Sequence, residues 1–118
     1  MTNSDDARIR SWDVVILPFP FTERNAAKVR PAVVVSSEAL HGRAGKFFLA
    51  MITSAGNAPV EGDVGISDIE TAGLPVDSRV RPSKLATVER SAFRKRIGTL
   101  PKADRLHVLS SLHRFLAS

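Results

Sequence analysis

Apolar residues along the chain come in short runs, separated by proline, glycine and polar turns. "DVVILPFPF" (13–21) opens as a continuous apolar run and meets Pro18 and Pro20. Proline cannot donate to a strand ladder, so a first strand ends near residue 19. "TERNAAK" (22–28) has no apolar period and reads as a loop. "PAVVVSS" (31–37) is a second strand, with Pro31 at its first position, where a missing N–H is harmless. "EALHGRAG" (38–45) reads as a turn region with two glycines, and "KFFLAMIT" (46–53) as a third buried strand. A loop (54–62), a short strand (63–67) and a turn-rich link (72–78) follow. "RVRPSKLATV" (79–88) forms one strand or two short ones interrupted at Pro82. "RSAF" makes a helical turn and "RKRIGTL" (94–100) a last strand.

The C-terminus changes period. In "PKADRLHVLSSLHRFLAS" the apolar positions 108, 109, 112, 115 and 116 fall one face of a helix. Pro101 suits the first turn, and Asp104 sits near the positive end of the helix dipole. Short strands followed by one amphipathic helix predict a mostly β fold, a small barrel with short helical turns and a helix packed on it. Residues 1–10 are polar and read as a tail before a single domain at 11–118.

Composition removes several classes. The 118 residues contain no cysteine, which excludes disulfides and Cys-based metal sites. His41, His107 and His113 do not pair with carboxylates at metal spacing, so no metal and no cofactor are expected. No apolar run approaches the roughly 20 residues needed to span a bilayer. The first residues lack the apolar stretch of a signal peptide. A soluble cytoplasmic protein, with no membrane partner, is the expectation.

Charge adds a partner class. The formal net charge is +5, unevenly spread. Residues 61–77 carry five acidic side chains and no Lys or Arg, whereas residues 79–118 carry ten basic ones against Glu89 and Asp104. Such a block suits RNA or DNA, although a solvated basic face has the same composition.

Candidate chemistry centres on "KVRPAVVVSS" (28–37), where Arg30-Pro31 places a fixed charge at the mouth of a core strand. Phosphate-loop, dinucleotide and serine-hydrolase signatures are absent. Taken in order, "PFPFT", "RPAVVVS", "ITS", "GLPVDS" and "IGTL" resemble the MazF/PemK (Kid-like) toxins of type II toxin–antitoxin systems, over roughly residues 12–117. The resemblance implies an SH3-like barrel and a metal-independent endoribonuclease acting on single-stranded RNA. It also implies a homodimer held by a cognate antitoxin in a complex that binds DNA. The antitoxin would lay an acidic peptide over the basic surface.

Position by position, the resemblance puts Arg30 and Thr53 at the scissile phosphate and a further family arginine at Arg81. Lys28, Arg81, Ser83, Lys84 and Phe21 are the expected RNA contacts. Kid-type members carry a carboxylate two residues after the later arginine; here that residue is Ser83, followed by Lys84. Trp12 stands where the family usually has glycine, a change expected to affect only packing. Cleavage by transesterification needs a base for the 2′-OH and donors for the phosphorane. Arginine cannot be the base, but its fork suits two phosphoryl oxygens. Thr53 can donate once more. The base is Glu23 or His41, with Glu23 favoured because its loop can reach the site. Two other readings stand beside this one. One is an RNA-binding module that cleaves weakly or not at all. The other is a CcdB-like gyrase inhibitor, disfavoured by the ending "FLAS", which lacks the Trp-containing tripeptide.

Overall fold

The computed structural model describes residues 8–18 and 28–118. The elements run β1 (Asp13–Pro18), β2 (Val29–Val34), α1 (Glu38–Ala44), β3 (Lys46–Ser54), β4 (Val64–Gly65), α2 (Ile69–Ala72), β5 (Ser78–Glu89), a 3-10 turn (Arg90–Ala92), β6 (Lys95–Thr99) and α3 (Lys102–Phe115). All strands join one antiparallel sheet in the order β4-β5-β3-β2-β1-β6. The sheet curls into a half-barrel whose outermost strands are β4 and β6.

The valine-rich runs predicted as strands are strands because both faces of the sheet are covered, the setting in which unbroken apolar runs are stable. On one face Val15, Leu17, Ala32, Val34, Leu49 and Met51 pack with Phe47, Ala86 and Phe93. On the other, Val14, Val33, Ala50, Ile52 and Val80 pack against Ala72, Leu74, Leu100 and Val108. The alternation fixes register, since a slip of one residue would exchange the two faces.

Residues 79–88 form one strand, not two. Ala50 pairs with Leu85 and Met51 with Arg81, so Pro82, Ser83 and Lys84 bulge out of the ladder. Pro82 is fully buried there, at a position where no ladder N–H is required.

Residues 38–45, expected as a turn region, contain the helix α1. It buries no residue, so it has no apolar stripe to detect. Its signals are local: Ser37 precedes it, Glu38 lies in its first turn, and Gly45 closes it at φ 66°. The short α2 was equally silent in the apolar pattern. The Asp68 carboxylate accepts from the amides of Glu70 and Thr71 at 3.1 and 3.2 Å, and Gly73 ends the helix at φ 77°. A Cβ at Gly73 would land on the Ile97 carbonyl, so α2 can approach β6 only through glycine.

Trp12 has φ 71°, the left-handed region. That explains a glycine preference at this position and corrects the view that the change affects packing alone. Trp12 N–H donates to Val34 O at 2.7 Å, and its carbonyl accepts from Leu100 N at 2.8 Å. These bonds hold the strained residue between β2 and the end of β6.

The α3 helix docks through Val108 and half-buried Leu112. Asp104 is buried at its start and accepts from Ser67 N and Oγ at 2.9 and 3.1 Å. The rest of the apolar stripe is uncovered. Leu106 is 74% exposed, Leu116 66%, Leu109 45% and Phe115 41%. Among the described residues, no helix is long and apolar enough to cross a membrane.

Candidate active site

β2 and β3 pair Ala32 with Met51, Val33 with Ala50 and Val34 with Leu49. The same register, carried two residues further, sets Arg30 across from Thr53. Strand alternation puts both on the face occupied by Ala32, Val34, Leu49 and Met51. The two residues singled out by sequence therefore hold corresponding positions on neighbouring strands, two residues beyond the last β2–β3 pair. Arg30 is half-buried, and its side chain makes no hydrogen bond or ion pair among the described residues. Thr53 is buried, and its Oγ1 accepts from Asn57 Nδ2 at 2.6 Å.

On the other side of β3, Thr53 pairs with Arg79 and Met51 with Arg81. The R-x-R spacing of 79 and 81 puts both arginines on the Thr53 face, with Val80 between them in the opposite core. Both are engaged. Arg81 forks onto Asp63, Nε to Oδ1 at 3.0 Å and Nη2 to Oδ2 at 2.9 Å, and Nη2 also reaches Ala58 O at 3.0 Å. Arg79 donates to Ala55 O at 3.3 Å and to Asn57 O, and its Nε lies 3.4 Å from Asp63 Oδ2.

Asp63 also accepts from Val60 N at 2.9 Å. Burial alone would raise its pKa. The Arg81 hydrogen bonds, the Val60 amide and the charges of Arg81 and Arg79 outweigh burial and lower it below the ordinary 3.8. Asp63 is therefore a fixed anion, a poor proton acceptor and a strong clamp. The arginine–Asp63 cluster fastens loop 55–63 to the sheet.

The remaining predicted residues fall in different places. Lys28 is exposed just before β2. Ser83 is exposed and Lys84 half-buried, both in the β5 bulge beyond Arg81. Glu23 and Phe21, together with Phe19, lie outside the described residues; the described residues on either side, Pro18 and Val29 (with Lys28), flank them, and Pro18 and Val29 are register partners beside Arg30. His41 is elsewhere. Its Nε2 lies 2.6 Å from Ser36 Oγ and its ring stacks on Phe47 at 4.3 Å. Ser36 Oγ in turn accepts from Phe48 N, five residues along β3 from Thr53 and roughly 16 Å away. The geometry separates His41 from the Arg30–Thr53 end. Among the described residues, no three His, Asp or Glu side chains are grouped to hold a metal ion.

Sequence reasoning missed Arg79, Asp63 and Asn57. The alternating R-V-R was a readable signal for Arg79. Asp63 and Asn57 sit in loop sequence without periodicity, and only the folded loop brings Asn57 to Thr53 and Asp63 to Arg81.

The fold is that of known toxins. An endoribonuclease in complex with its cognate antitoxin, from a mycobacterial species, superposes with a TM-score of 0.72 at 12% identity, covering 91% of this chain and 93% of that one. The Mycobacterium tuberculosis toxin MazF-mt6 gives 0.69 at 17% identity, covering 86% and 93%. MazF in a MazE-MazF structure from Deinococcus radiodurans gives 0.70 at 21%, covering 92% and 95%. No curated protein sequence matches the chain. The sequence profile of the PemK-like, MazF-like toxins matches residues 10–116. The chain belongs to the PemK-like, MazF-like toxins of type II toxin–antitoxin systems.

Proposed function

We propose that this toxin is an endoribonuclease that cleaves single-stranded RNA by metal-independent transesterification in the cytoplasm. The observation that carries the reading is Arg30: a half-buried guanidinium with no hydrogen bond or ion pair among the described residues, two positions beyond the β2–β3 pairing, as the buried Thr53 is on the neighbouring strand. A half-buried guanidinium that no described side chain pairs with is suited to an anionic ligand. The fork of Arg30 would take two non-bridging oxygens of the scissile phosphate, and Thr53 Oγ1 would donate to a third acceptor. These donors match the charge that develops as the 2′-oxygen attacks phosphorus and the 5′-oxygen departs. The 2′-OH proton goes to a base, for which Glu23 remains our assignment, since its segment is anchored beside Arg30. The leaving 5′-oxygen takes a proton from water as the phosphorus–oxygen bond breaks, giving a 2′,3′-cyclic phosphate and a 5′-hydroxyl. Lys28 and Lys84 would hold flanking phosphates.

The uncovered apolar stripe on α3 supports the homodimer, because single chains rarely leave contiguous leucines exposed. A cognate antitoxin is proposed as the second protein partner, as in the mycobacterial complex. Incubating the protein with long single-stranded RNA in EDTA, followed by analysis of the ends, tests the reaction. Fragments with cyclic phosphate ends support it; intact RNA overturns it.

One observation favours a weaker enzyme. Arg81 is held by Asp63, and Ser83 offers no carboxylate. A protein that retards RNA in a gel without cutting it would match the binding-module reading.

A further inference from the structure

We propose that Asn57 is a positioning residue for Thr53, setting the direction in which the threonine hydroxyl donates. The inference rests on the RNA-cleaving reading above and adds a residue to that site.

A threonine hydroxyl has one hydrogen and two lone pairs, and it rotates to suit its neighbours. A freely rotating hydroxyl must be ordered during the reaction, at the expense of rate. Asn57 Nδ2 donates to Thr53 Oγ1 at 2.6 Å. An oxygen that accepts on that side keeps its own hydrogen for another acceptor. Thr53 is buried, and Arg30 holds the corresponding position on β2, two residues beyond the last β2–β3 pair. The hydrogen is thus left for a group bound between Thr53 and Arg30, where a phosphoryl oxygen would lie.

Asn57 is itself fixed from both ends of its backbone. Its N–H donates to Ser54 O at 3.1 Å, closing a turn directly after β3. Its carbonyl accepts from Arg79, whose other terminal nitrogen holds Ala55 O. One residue on, Ala58 O accepts from Arg81, which Asp63 clamps. Two arginines of β5 therefore hold the loop so that the amide reaches Thr53 without a separate ordering step. Supporting groups of this kind set the precision of a site.

A double-mutant cycle tests the coupling. Initial cleavage rates and KM are measured on one RNA for wild type, Asn57→Ala, Thr53→Ala and the double variant. The expected result is a roughly tenfold to hundredfold loss in kcat for Asn57→Ala, with KM within about twofold. In the Thr53→Ala background the same substitution changes nothing further. An equal loss in both backgrounds overturns the proposal, because Asn57 then acts through the loop and not through Thr53; so does full activity of Asn57→Ala. Asn57→Asp provides a second cycle if the alanine variant fails to fold. A carboxylate only accepts, so it draws the Thr53 hydrogen away from the substrate. Its charge repels RNA in both backgrounds and cancels, leaving an extra loss only where Thr53 is present; no extra loss overturns the proposal. Wild-type protein that leaves the RNA intact overturns the cleavage reading and this inference together. Cleavage by wild type with an additive cycle overturns this inference alone.

Discussion

Arg79 of β5 lies directly across from Thr53 of β3, and its guanidinium holds the backbone of the loop that follows Thr53. One cross-strand pair thus joins the proposed catalytic hydroxyl to its supporting loop. It also separates the arginines by role. Arg79 and Arg81 are committed to the fold, whereas Arg30 makes no ion pair or hydrogen bond among the described residues.

Stability and activity should therefore separate between Arg30 and Arg81. Arg81→Ala leaves Asp63 without its fork and is expected to cost about 1.5–3 kcal/mol in urea unfolding. Arg30→Ala breaks no described contact and should shift unfolding by less than about 0.5 kcal/mol. Its effect should fall on cleavage. Equal destabilisation by both variants would contradict the assignment.

The Asp63 clamp makes stability pH-dependent in the acid range. Its folded-state pKa lies below the ordinary 3.8, so the fold favours the ionised form. That contribution is fully present above the unfolded value and lost as pH falls through the lowered folded value. Asp63→Asn should lower the thermal midpoint at neutral pH and flatten its fall in acid. Hydrogen bonds from Thr71 to Asp68 and from Lys46 to Glu89 lower those carboxylates too, so part of the slope should remain. An unchanged slope would show that the clamp does not form in solution.

The uncovered face of α3 predicts an association surface. Leu106→Glu combined with Leu109→Glu should convert a dimer to a monomer in sedimentation experiments while leaving the thermal midpoint of the monomer near that of the fold. A wild-type monomer at high concentration would remove the basis for this assignment.

Ser83 is exposed in the β5 bulge, where the resemblance to Kid-type toxins implies a carboxylate. If the base lies elsewhere, Ser83→Ala should leave kcat within about threefold. A hundredfold loss would give the bulge a chemical role that the present mechanism lacks.

Much of the fold was legible because burial imposes a period. Runs such as Val33–Val34 and Leu49–Ile52 are apolar on both faces, and both faces are covered. The bulge at Pro82 announced itself as a break but not as a three-residue insertion, since strand pairing is a long-range property. Helix α1 was invisible to periodicity because nothing on it is buried. In the candidate site, Arg30 and Thr53 are readable through motif resemblance, and the β2–β3 register sets them at corresponding positions two residues beyond its last pair. Asn57 and Asp63 are not readable, because each acts through side-chain contacts set by loop geometry. Trp12 was read as a packing change, whereas the positive φ shows that the backbone conformation itself is at issue.

The central claim is that Arg30 stabilises charge on the scissile phosphate, and the ratio of cleavage rates for wild type and Arg30→Ala in EDTA tests it most directly. The account predicts cyclic-phosphate products from wild type and a loss of at least about a hundredfold in Arg30→Ala, with the fold intact. Equal cleavage by the two proteins, or RNA left whole by wild type, would contradict it.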